Sequence, residues 1–200
     1  MLEVKDATIS IGGKTLVKGF SLIAQDGQIT CITGSEGSGK TTFLRTLMGF
    51  LPVEAGFVSV DGELLTMDSA HAFRRLMVYL PQAIQTLAHQ LKAPEAPVCE
   101  ADEYGVWNAT LPAAVSEPQP EPLSPEAIFQ LAEKTIREAP DKSIVIADEP
   151  AAHLTPELTE QMYDLLRQQK EAGKTVLIAT RKSQLLSRAD LVLNLDTFRQ

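Results

Sequence analysis

Short runs of apolar or alternating residues, divided by turn residues, fill the first part of the chain. Alternation of this kind is typical of β-strands, and the pair Gly12-Gly13 between two of the runs indicates a hairpin. The runs are Leu2–Lys5, Ala7–Ile11, Thr15–Val17, Phe20–Ala24 and Gln28–Thr33. We therefore expect a β-rich N-terminal segment that ends in a short buried strand.

The middle of the chain alternates between strand and helix patterns. Gly56–Gly62 predicts a strand closed by a turn, Ser69–Arg75 a short helix, and Leu76–Leu80 another strand. Further on, Ser124-Pro125 matches an N-cap followed by proline at the first helical position. The helix that begins there is expected to end before Pro140, because proline cannot continue it.

Two continuous apolar runs stand out in the last part of the chain. Ser143–Glu149 and Lys174–Thr180 are typical of strands that are buried on both faces of a parallel sheet. Between them, Thr155-Pro156 begins a well-marked helix. A short helix over 183–187 and a last strand over 191–195 follow. This alternation predicts an α/β core with a largely parallel sheet.

Charge and proline content separate one segment from the rest. The chain has 200 residues and a net charge of −8, yet residues 93–133 hold eight acidic residues, no Lys or Arg, and seven of the twelve prolines. We interpret this segment as part of an insert in a domain whose remaining charges balance. Because it offers no basic surface to neutralise phosphates, we expect no nucleic-acid partner.

Features of membrane and secreted proteins are missing from the sequence. The N-terminus has neither a basic region nor an apolar run, and no stretch approaches the roughly 18 apolar residues that would span a membrane. Two cysteines, Cys31 and Cys99, do not make a disulfide framework. We expect a protein of the reducing cytoplasm, with any membrane role supplied by a partner.

One stretch carries a specific chemistry. Gly34–Thr41 has the pattern G-x-x-x-x-G-K-T between the predicted buried strand and a helical pattern over 42–48. In such a loop the backbone N–H groups surround phosphates, Lys40 reaches the β- and γ-phosphates, and the Thr41 hydroxyl holds Mg²⁺. An accidental glycine-rich turn would match in about one percent of chains of this length, so we predict a nucleotide-binding site.

Two carboxylates end the first of the buried runs. At the ligand edge of a parallel sheet, Asp148 can bind Mg²⁺ through water, and Glu149 can polarise a water that attacks the γ-phosphate. An isolated Asp-Glu pair is more often a polar strand end. The phosphate loop reverses that balance in favour of a catalytic role.

Four motifs, in this order and spacing, resemble the nucleotide-binding domain of ABC transporters over nearly the whole chain. They are the phosphate loop Gly34–Thr41 (Walker A), Tyr79–Gln82, Ile144–Pro150, in which Ile144–Glu149 is Walker B, and Thr175–Thr180. The resemblance implies an α/β P-loop NTPase core with a mostly parallel sheet, an antiparallel β-subdomain in the first 33 residues, and a shortened helical subdomain. It implies a single domain over 1–200, with 1–83 and 140–200 as the core and 84–139 as a reduced, proline-rich, acidic insert.

The resemblance also implies the site residues and cofactors. ATP would bind to Gly34, Ser35, Glu36, Gly37, Ser38, Gly39, Lys40, Thr41 and Thr42. Mg²⁺ would be held by Thr41, Gln82 and Asp148, and the catalytic residues would be Glu149, Lys40 and Gln82. In the family, the glutamine at the position of Gln82 also senses the transmembrane partner. Val106–Leu111 resembles the segment that opens the helical subdomain.

Several positions depart from the family pattern. Leu123–Ala127 stands in the place of the signature Leu-Ser-Gly-Gly-Gln, with Ser124 kept but a proline and a glutamate in place of the glycines. Arg181 replaces the switch histidine, and it either pairs with a γ-phosphate or faces solvent. Ile11 replaces an aromatic residue that stacks on adenine, a loss of about 1 kcal/mol in base binding. His153 is expected to lie at the surface.

The resemblance implies an ATPase subunit that couples Mg-ATP hydrolysis to a transmembrane permease subunit at the inner face of the cell membrane. Because ATP sites in the family are shared, a second ATP-binding subunit is implied, and the altered signature favours a heteromer over a homodimer. The alternative is a regulatory subunit that binds nucleotide with little or no hydrolysis, which the altered signature favours and Glu149 opposes. A small-molecule kinase fits poorly, because 33 residues of β-rich chain precede the phosphate loop.

Overall fold

The strands of the protein form two sheets, one parallel and one antiparallel. A computed structural model describes residues 1–82, 84 and 123–198. Within these residues the predicted α/β class is confirmed. The predictions for Cys99 and Val106–Leu111, and most of the acidic stretch, lie outside them.

The parallel sheet has the strand order β6-β7-β8-β3-β9, and each of these neighbouring pairs is parallel. Its strands are β3 (Ile29–Thr33), β6 (Met77–Leu80), β7 (Ile144–Asp148), β8 (Thr175–Ala179) and β9 (Leu191–Asn194). β7 and β8 are buried along their whole length, as their apolar runs predicted. Because parallel strands end at one edge, the residues that follow them meet there.

The antiparallel sheet has the order β2-β1-β4-β5. Its strands are β1 (Leu2–Ile11), β2 (Lys14–Ala24), β4 (Ala55–Val60) and β5 (Glu63–Leu64). The antiparallel β-subdomain is thus confirmed with different bounds, because β3 belongs to the parallel sheet and β4 and β5 complete the antiparallel one. The two runs predicted within β1 form one strand, whose register shifts around Asp6, where φ is +49°.

The described residues contain five α-helices: α1 (Lys40–Leu47), α2 (Ala70–Arg74), α3 (Pro125–Arg137), α4 (Pro156–Glu171) and α5 (Ser183–Leu186). The two predicted N-caps are confirmed. Ser124 accepts a hydrogen bond from the N–H of Ala127 at 3.2 Å, and Thr155 accepts one from Leu158 at 3.3 Å. A proline follows each cap at the start of its helix.

The apolar core covers both faces of the parallel sheet. Ile144 and Ile146 join the cluster that includes the antiparallel sheet, whereas Val145 and Ala147 join the cluster that includes α3 and α4. Neighbouring residues of a strand point to opposite faces, which explains this division. Cys31 is free and fully buried in the second cluster, and burial raises the pKa of its thiol to about 12.

Helix α3 packs as part of this core. Its buried residues Ile128, Ala132 and Ile136 belong to the same cluster as Met162 of α4. The residues that precede α3 from 85 to 122 lie outside the described structure. The division of the chain into a core and an insert over 84–139 therefore stays a prediction.

Gly56 and Gly62 provide a test of how β4 is held against β1. Both have positive φ values, +76° and +83°. A Cβ at Gly56 would lie 2.2 Å from the carbonyl oxygen of Lys5, whereas a Cβ at Gly62 would have no heavy atom within 4 Å. We expect Gly56→Ala to lower the free energy of unfolding by about 2–4 kcal/mol, since it adds a backbone clash to the cost of positive φ.

Gly62→Ala is the matched control and should cost about 1 kcal/mol from backbone strain alone. The measurement is urea unfolding followed by circular dichroism. Equal losses in the two variants would contradict the close approach of Gly56 to β1.

Candidate nucleotide-binding site

The phosphate loop connects the end of β3 to the start of α1, as predicted. Gly39 is the N-cap of α1 in a left-handed conformation, and Lys40 is the first helical residue. The Lys40 side chain is buried and folds back over the loop, where its ammonium group donates to the carbonyl oxygens of Gly34 at 2.9 Å and Ser35 at 3.1 Å. Phosphate oxygens can exchange with these carbonyls as partners of the ammonium group.

Ser38 is a second buried polar residue of the loop. Its hydroxyl oxygen has no hydrogen-bond partner within the described residues, although the residue is fully buried. A buried polar atom without a partner costs free energy, so native proteins seldom keep one without a reason. Binding of an oxygen-rich ligand in the loop would supply the missing partner.

A carboxylate from the far end of the chain fixes the first turn of the loop. Asp196 accepts hydrogen bonds from the Ser35 N–H at 2.7 Å and from the Ser35 hydroxyl at 2.9 Å. It lies in the short 3₁₀ helix Leu195–Phe198, directly after β9. Sequence reasoning missed this residue, because nothing local in the chain shows that β9 pairs with β3.

Asp148 ends β7 inside the protein. The residue is 1% exposed, and one carboxylate oxygen, Oδ2, accepts a hydrogen bond from the Tyr79 hydroxyl at 3.5 Å. The other, Oδ1, is buried without a partner within the described residues. Burial raises the pKa of Asp148, and the neighbouring Thr41 hydroxyl opposes this rise. Burial and Asp148 together raise the pKa of Tyr79 to about 12, so its hydroxyl stays a donor.

These oxygens fit a magnesium ion. Mg²⁺ prefers hard oxygen ligands and usually takes only one or two carboxylates from the protein, with phosphates and water completing the shell. Thr41 and Asp148 place a hydroxyl and a carboxylate on the wall of the same cavity, and Asp148 has an unpartnered oxygen. Across the described parts of the chain no group of three His, Cys, Asp or Glu side chains is placed to hold a metal ion.

Glu149 is held firmly at the same sheet edge. It is 8% exposed and has a φ of +46°, a conformation that costs a non-glycine residue free energy. Its Oε2 accepts hydrogen bonds from the Thr180 hydroxyl and from the Arg181 N–H, both at 3.3 Å. Sequence reasoning did not assign Thr180 this contact, which depends on β7 and β8 being neighbours.

Arg181 lies at the site and pairs with two carboxylates. Its Nε is 3.4 Å from Glu149 Oε1, and a terminal guanidinium nitrogen is 3.3 Å from Glu36 Oε2. The sequence left open whether Arg181 faces solvent or the phosphates. Its guanidinium is half-exposed but directed to the phosphate loop and to Glu149.

A cavity of about 500 Å³ brings most of the predicted residues together, although Gly34 and Ser35 are not on its wall. Its wall contains residues from five separate parts of the chain: Ile11 and Leu16, the loop residues 36–42, Gln82, Asp148 with Glu149, and Arg181. Gln82 is exposed and also lines a second cavity of about 300 Å³, beside Asp148. Ile11 lines the first cavity beside Leu16, and its place in base binding stays a prediction. His153 is exposed and lines the second cavity, as expected.

Ser124 lies apart from this cavity. It is not among the described residues of the cavity wall, and its hydroxyl caps α3. The site that the chain itself builds therefore consists of the phosphate loop, the β7 carboxylates, Gln82 and Arg181.

Comparisons with known proteins agree with this geometry. A family model described as ABC transporter matches residues 17–187. An ABC transporter ATP-binding protein of Haemophilus influenzae, itself uncharacterised, is 37% identical over 83 residues, which are 42% of this chain and 32% of that protein. The thiamine import ATP-binding protein ThiQ of Brucella abortus is 28% identical over 90% of this chain and 77% of its own length.

A solved structure shares the fold. It is a dimeric ATP-binding cassette in a post-hydrolysis state, bound to ADP and Pi, with a TM-score of 0.70 and 22% identity over 98% of this chain and 94% of the other. The coverage of relatives varies. This chain spans 32% of the Haemophilus protein and 24% of an ABC transporter ATP-binding/permease protein of Mycobacterium tuberculosis.

The chain belongs to the ABC transporter family. Its fold is that of an ATP-binding cassette. The relatives are named as ATP-binding proteins of transporters. These names do not favour the alternative of a regulatory subunit that binds nucleotide with little or no hydrolysis. Among the helices of the described residues, none has the length and apolar character that a membrane crossing requires.

The contact of Asp196 with Ser35 should affect nucleotide affinity. Asp196→Ala removes two hydrogen bonds that hold the start of the phosphate loop. Since a charge-assisted hydrogen bond contributes about 1.5–3 kcal/mol, we expect the ATP dissociation constant to rise by about tenfold or more. The measurement is isothermal titration calorimetry with Mg-ATP, and Asp141→Ala, at an exposed turn, is the control. Tighter binding by Asp196→Ala would show instead that charge repulsion outweighs the loop contact.

Proposed function

We propose that this protein binds Mg-ATP in the 500 Å³ cavity and hydrolyses it, with Glu149 acting on the attacking water. The observation that carries the proposal is the placement of Glu149 and the phosphate loop on the wall of one cavity. Glu149 is also fixed by contacts from the end of β8, so its carboxylate has a defined direction. A positioned carboxylate close to a phosphate loop is what in-line attack on a γ-phosphate requires.

The loop residues 34–42 would bind the phosphates. Backbone N–H groups of the loop and of the first turn of α1 provide donors, and the helix N-terminus favours negative charge. Lys40 would release the carbonyls of Gly34 and Ser35 and contact the β- and γ-phosphates instead. Ile11 and Leu16 give the cavity an apolar end for the base.

Thr41, Asp148 and Gln82 would hold the magnesium ion. The ion would supply charge that offsets the phosphates during transfer. Asp148 contributes the oxygen that lacks a partner, and Tyr79 orients the carboxylate through the other oxygen. Gln82 follows β6, next to β7, at the border of the two cavities.

We propose that the protein works as a peripheral subunit on the inner face of the cell membrane, coupled to a transmembrane permease subunit. The relatives include an import ATP-binding protein and a protein named as both ATP-binding and permease. No cargo follows from these names for this chain. Its own half of an ATP site is well formed, so ATP energy could be passed to such a partner.

A second ATP-binding subunit would complete the site. In this chain, Leu123–Ala127 is the segment that would contact the nucleotide bound by a partner, and it differs from the signature sequence. The Ser124 hydroxyl is engaged as the cap of α3, Pro125 has no N–H, and Glu126 places a carboxylate in the first turn. A phosphate at this helix end would meet few donors and one negative charge. We therefore propose a heteromer with a subunit whose signature is intact.

Glu149→Gln tests the catalytic proposal. We expect turnover to fall by about 10²–10⁴, because a general base is lost, with nucleotide affinity changed less than about threefold. Single-turnover hydrolysis and calorimetric ATP binding give the two quantities. Glu157→Gln, an exposed residue at the start of α4, is the control that should keep both. A Glu149→Gln protein that hydrolyses ATP like the parent would remove Glu149 from the mechanism.

The heteromer proposal predicts slow hydrolysis by the purified protein alone. Addition of an ABC subunit with an intact Leu-Ser-Gly-Gly-Gln signature should raise turnover by about tenfold or more, since donors to the transferred phosphate are restored. Replacing both Pro125 and Glu126 by glycine should also raise turnover of the isolated protein. Thermal unfolding checks that this variant is folded. Robust turnover by the unaltered protein alone, lost in Glu149→Gln, would contradict the proposal.

A further inference from the structure

The phosphate loop of this chain contains a carboxylate at its mouth. Glu36 lines the nucleotide cavity, and its side chain is 88% exposed. Glu149 lines the same cavity. Two carboxylates around a site for phosphates repel the ligand, and the repulsion grows with the charge of the ligand. Something in the site has to offset it.

The guanidinium of Arg181 lies between these two carboxylates. It is 3.3 Å from Glu36 and 3.4 Å from Glu149, and Arg181 also lines the cavity. The strand order explains the placement. β8, which Arg181 follows, lies between β7, which ends at Glu149, and β3, which leads into the phosphate loop.

The two ion pairs differ in how easily they exchange. Glu149 is 9% exposed in its side chain, and it also accepts the backbone N–H of Arg181, so this contact is anchored. Glu36 is almost fully exposed, and exposed ion pairs contribute little. A planar guanidinium with five N–H groups can keep one carboxylate while it exchanges another for a phosphate oxygen.

We propose that Arg181 determines the preference of this site for a nucleoside triphosphate over a diphosphate, with Glu36 as the exchangeable counter-charge. Without a γ-phosphate, Glu36 and Glu149 together hold the guanidinium. A γ-phosphate displaces Glu36 from Arg181, while Glu149 keeps its contact. The site then binds a triphosphate more tightly than the phosphate loop alone would achieve.

The selection acts on the γ-phosphate because of where Glu149 lies. This step depends on the proposed function, in which Glu149 directs a water to the γ-phosphorus. A guanidinium in contact with the Glu149 carboxylate is therefore at the γ end of the nucleotide. The two phosphates of ADP lie along the loop and Lys40, where they gain little from Arg181.

The test compares two nucleotides in the full-length protein. Dissociation constants for the β,γ-imido analogue of ATP and for ADP, each with Mg²⁺, are measured by calorimetry. In Arg181→Ala we expect the affinity for the ATP analogue to fall by about tenfold to a hundredfold, with ADP affinity changed less than about threefold. Since the backbone N–H of residue 181 still reaches Glu149, that carboxylate keeps a partner in this variant.

Glu36 provides an independent arm of the test. Glu36→Gln should raise the affinity for the ATP analogue by about threefold, because a competing carboxylate is gone. In the Glu36→Gln background, Arg181→Ala should cost more affinity for the ATP analogue than it does in the wild type, because Arg181 no longer gives up an ion pair with Glu36 when it binds the γ-phosphate. Arg181→Lys keeps the charge without the planar fork and should retain part of the preference.

Lys182→Ala, at the neighbouring basic residue, is the control and should leave both dissociation constants unchanged. Its ammonium group contacts Thr159, away from the cavity. Equal losses for ADP and the ATP analogue in Arg181→Ala, or no loss for either, would overturn the proposal while nucleotide binding itself stands. A wild-type protein that binds neither nucleotide would overturn the proposed function, and this inference with it.

Discussion

The position of β8 between β7 and β3 is the constraint on which the site depends. Neighbouring strands lie about 4.8 Å apart, so the residues that follow these three strands lie within reach of each other's side chains. Glu149, Arg181 and the phosphate loop occupy these three positions. Arg181 therefore reaches a carboxylate on each side, Glu36 and Glu149, and this part of the electrostatics of the site follows from the strand order.

Local patterns predicted the parts of the site that are contiguous in the chain. The loop Gly34–Thr41 and the carboxylates after β7 were found because each is a motif beside a recognisable strand. The contacts of Ser35 with Asp196, and of Glu149 with Thr180, join residues more than 30 positions apart. They depend on which strands are neighbours, and hydrophobic periodicity carries no information about strand order. The bounds of the antiparallel sheet were mispredicted for the same reason.

Unsatisfied polar groups link the stability of the fold to its ligand. The Ser38 hydroxyl and one oxygen of Asp148 are buried without partners within the described residues, and Lys40 is buried on loop carbonyls. A buried polar group without a hydrogen bond destabilises the folded state. A nucleotide with a metal ion would supply acceptors for Ser38 and Lys40 and a cation for Asp148. Because such a ligand would bind only the folded chain, it would stabilise this part of the protein by mass action.

The start of α3 shows that one segment cannot serve two purposes equally well. Ser124 and Pro125 make a strong helix start: the hydroxyl caps the N–H of Ala127, and proline takes the position where no N–H is needed. These same features remove donors that a phosphate would require at this helix end. The helix is anchored in the core by Ile128, Ala132 and Ile136. The sequence at the start of α3 therefore stabilises the helix and does not suit a phosphate. The phosphate loop around Lys40 is the opposite case, because it keeps the buried Ser38 hydroxyl without a partner and so leaves it available to a ligand. That contrast is the physical basis for proposing that this chain uses a shared ATP site from one side only.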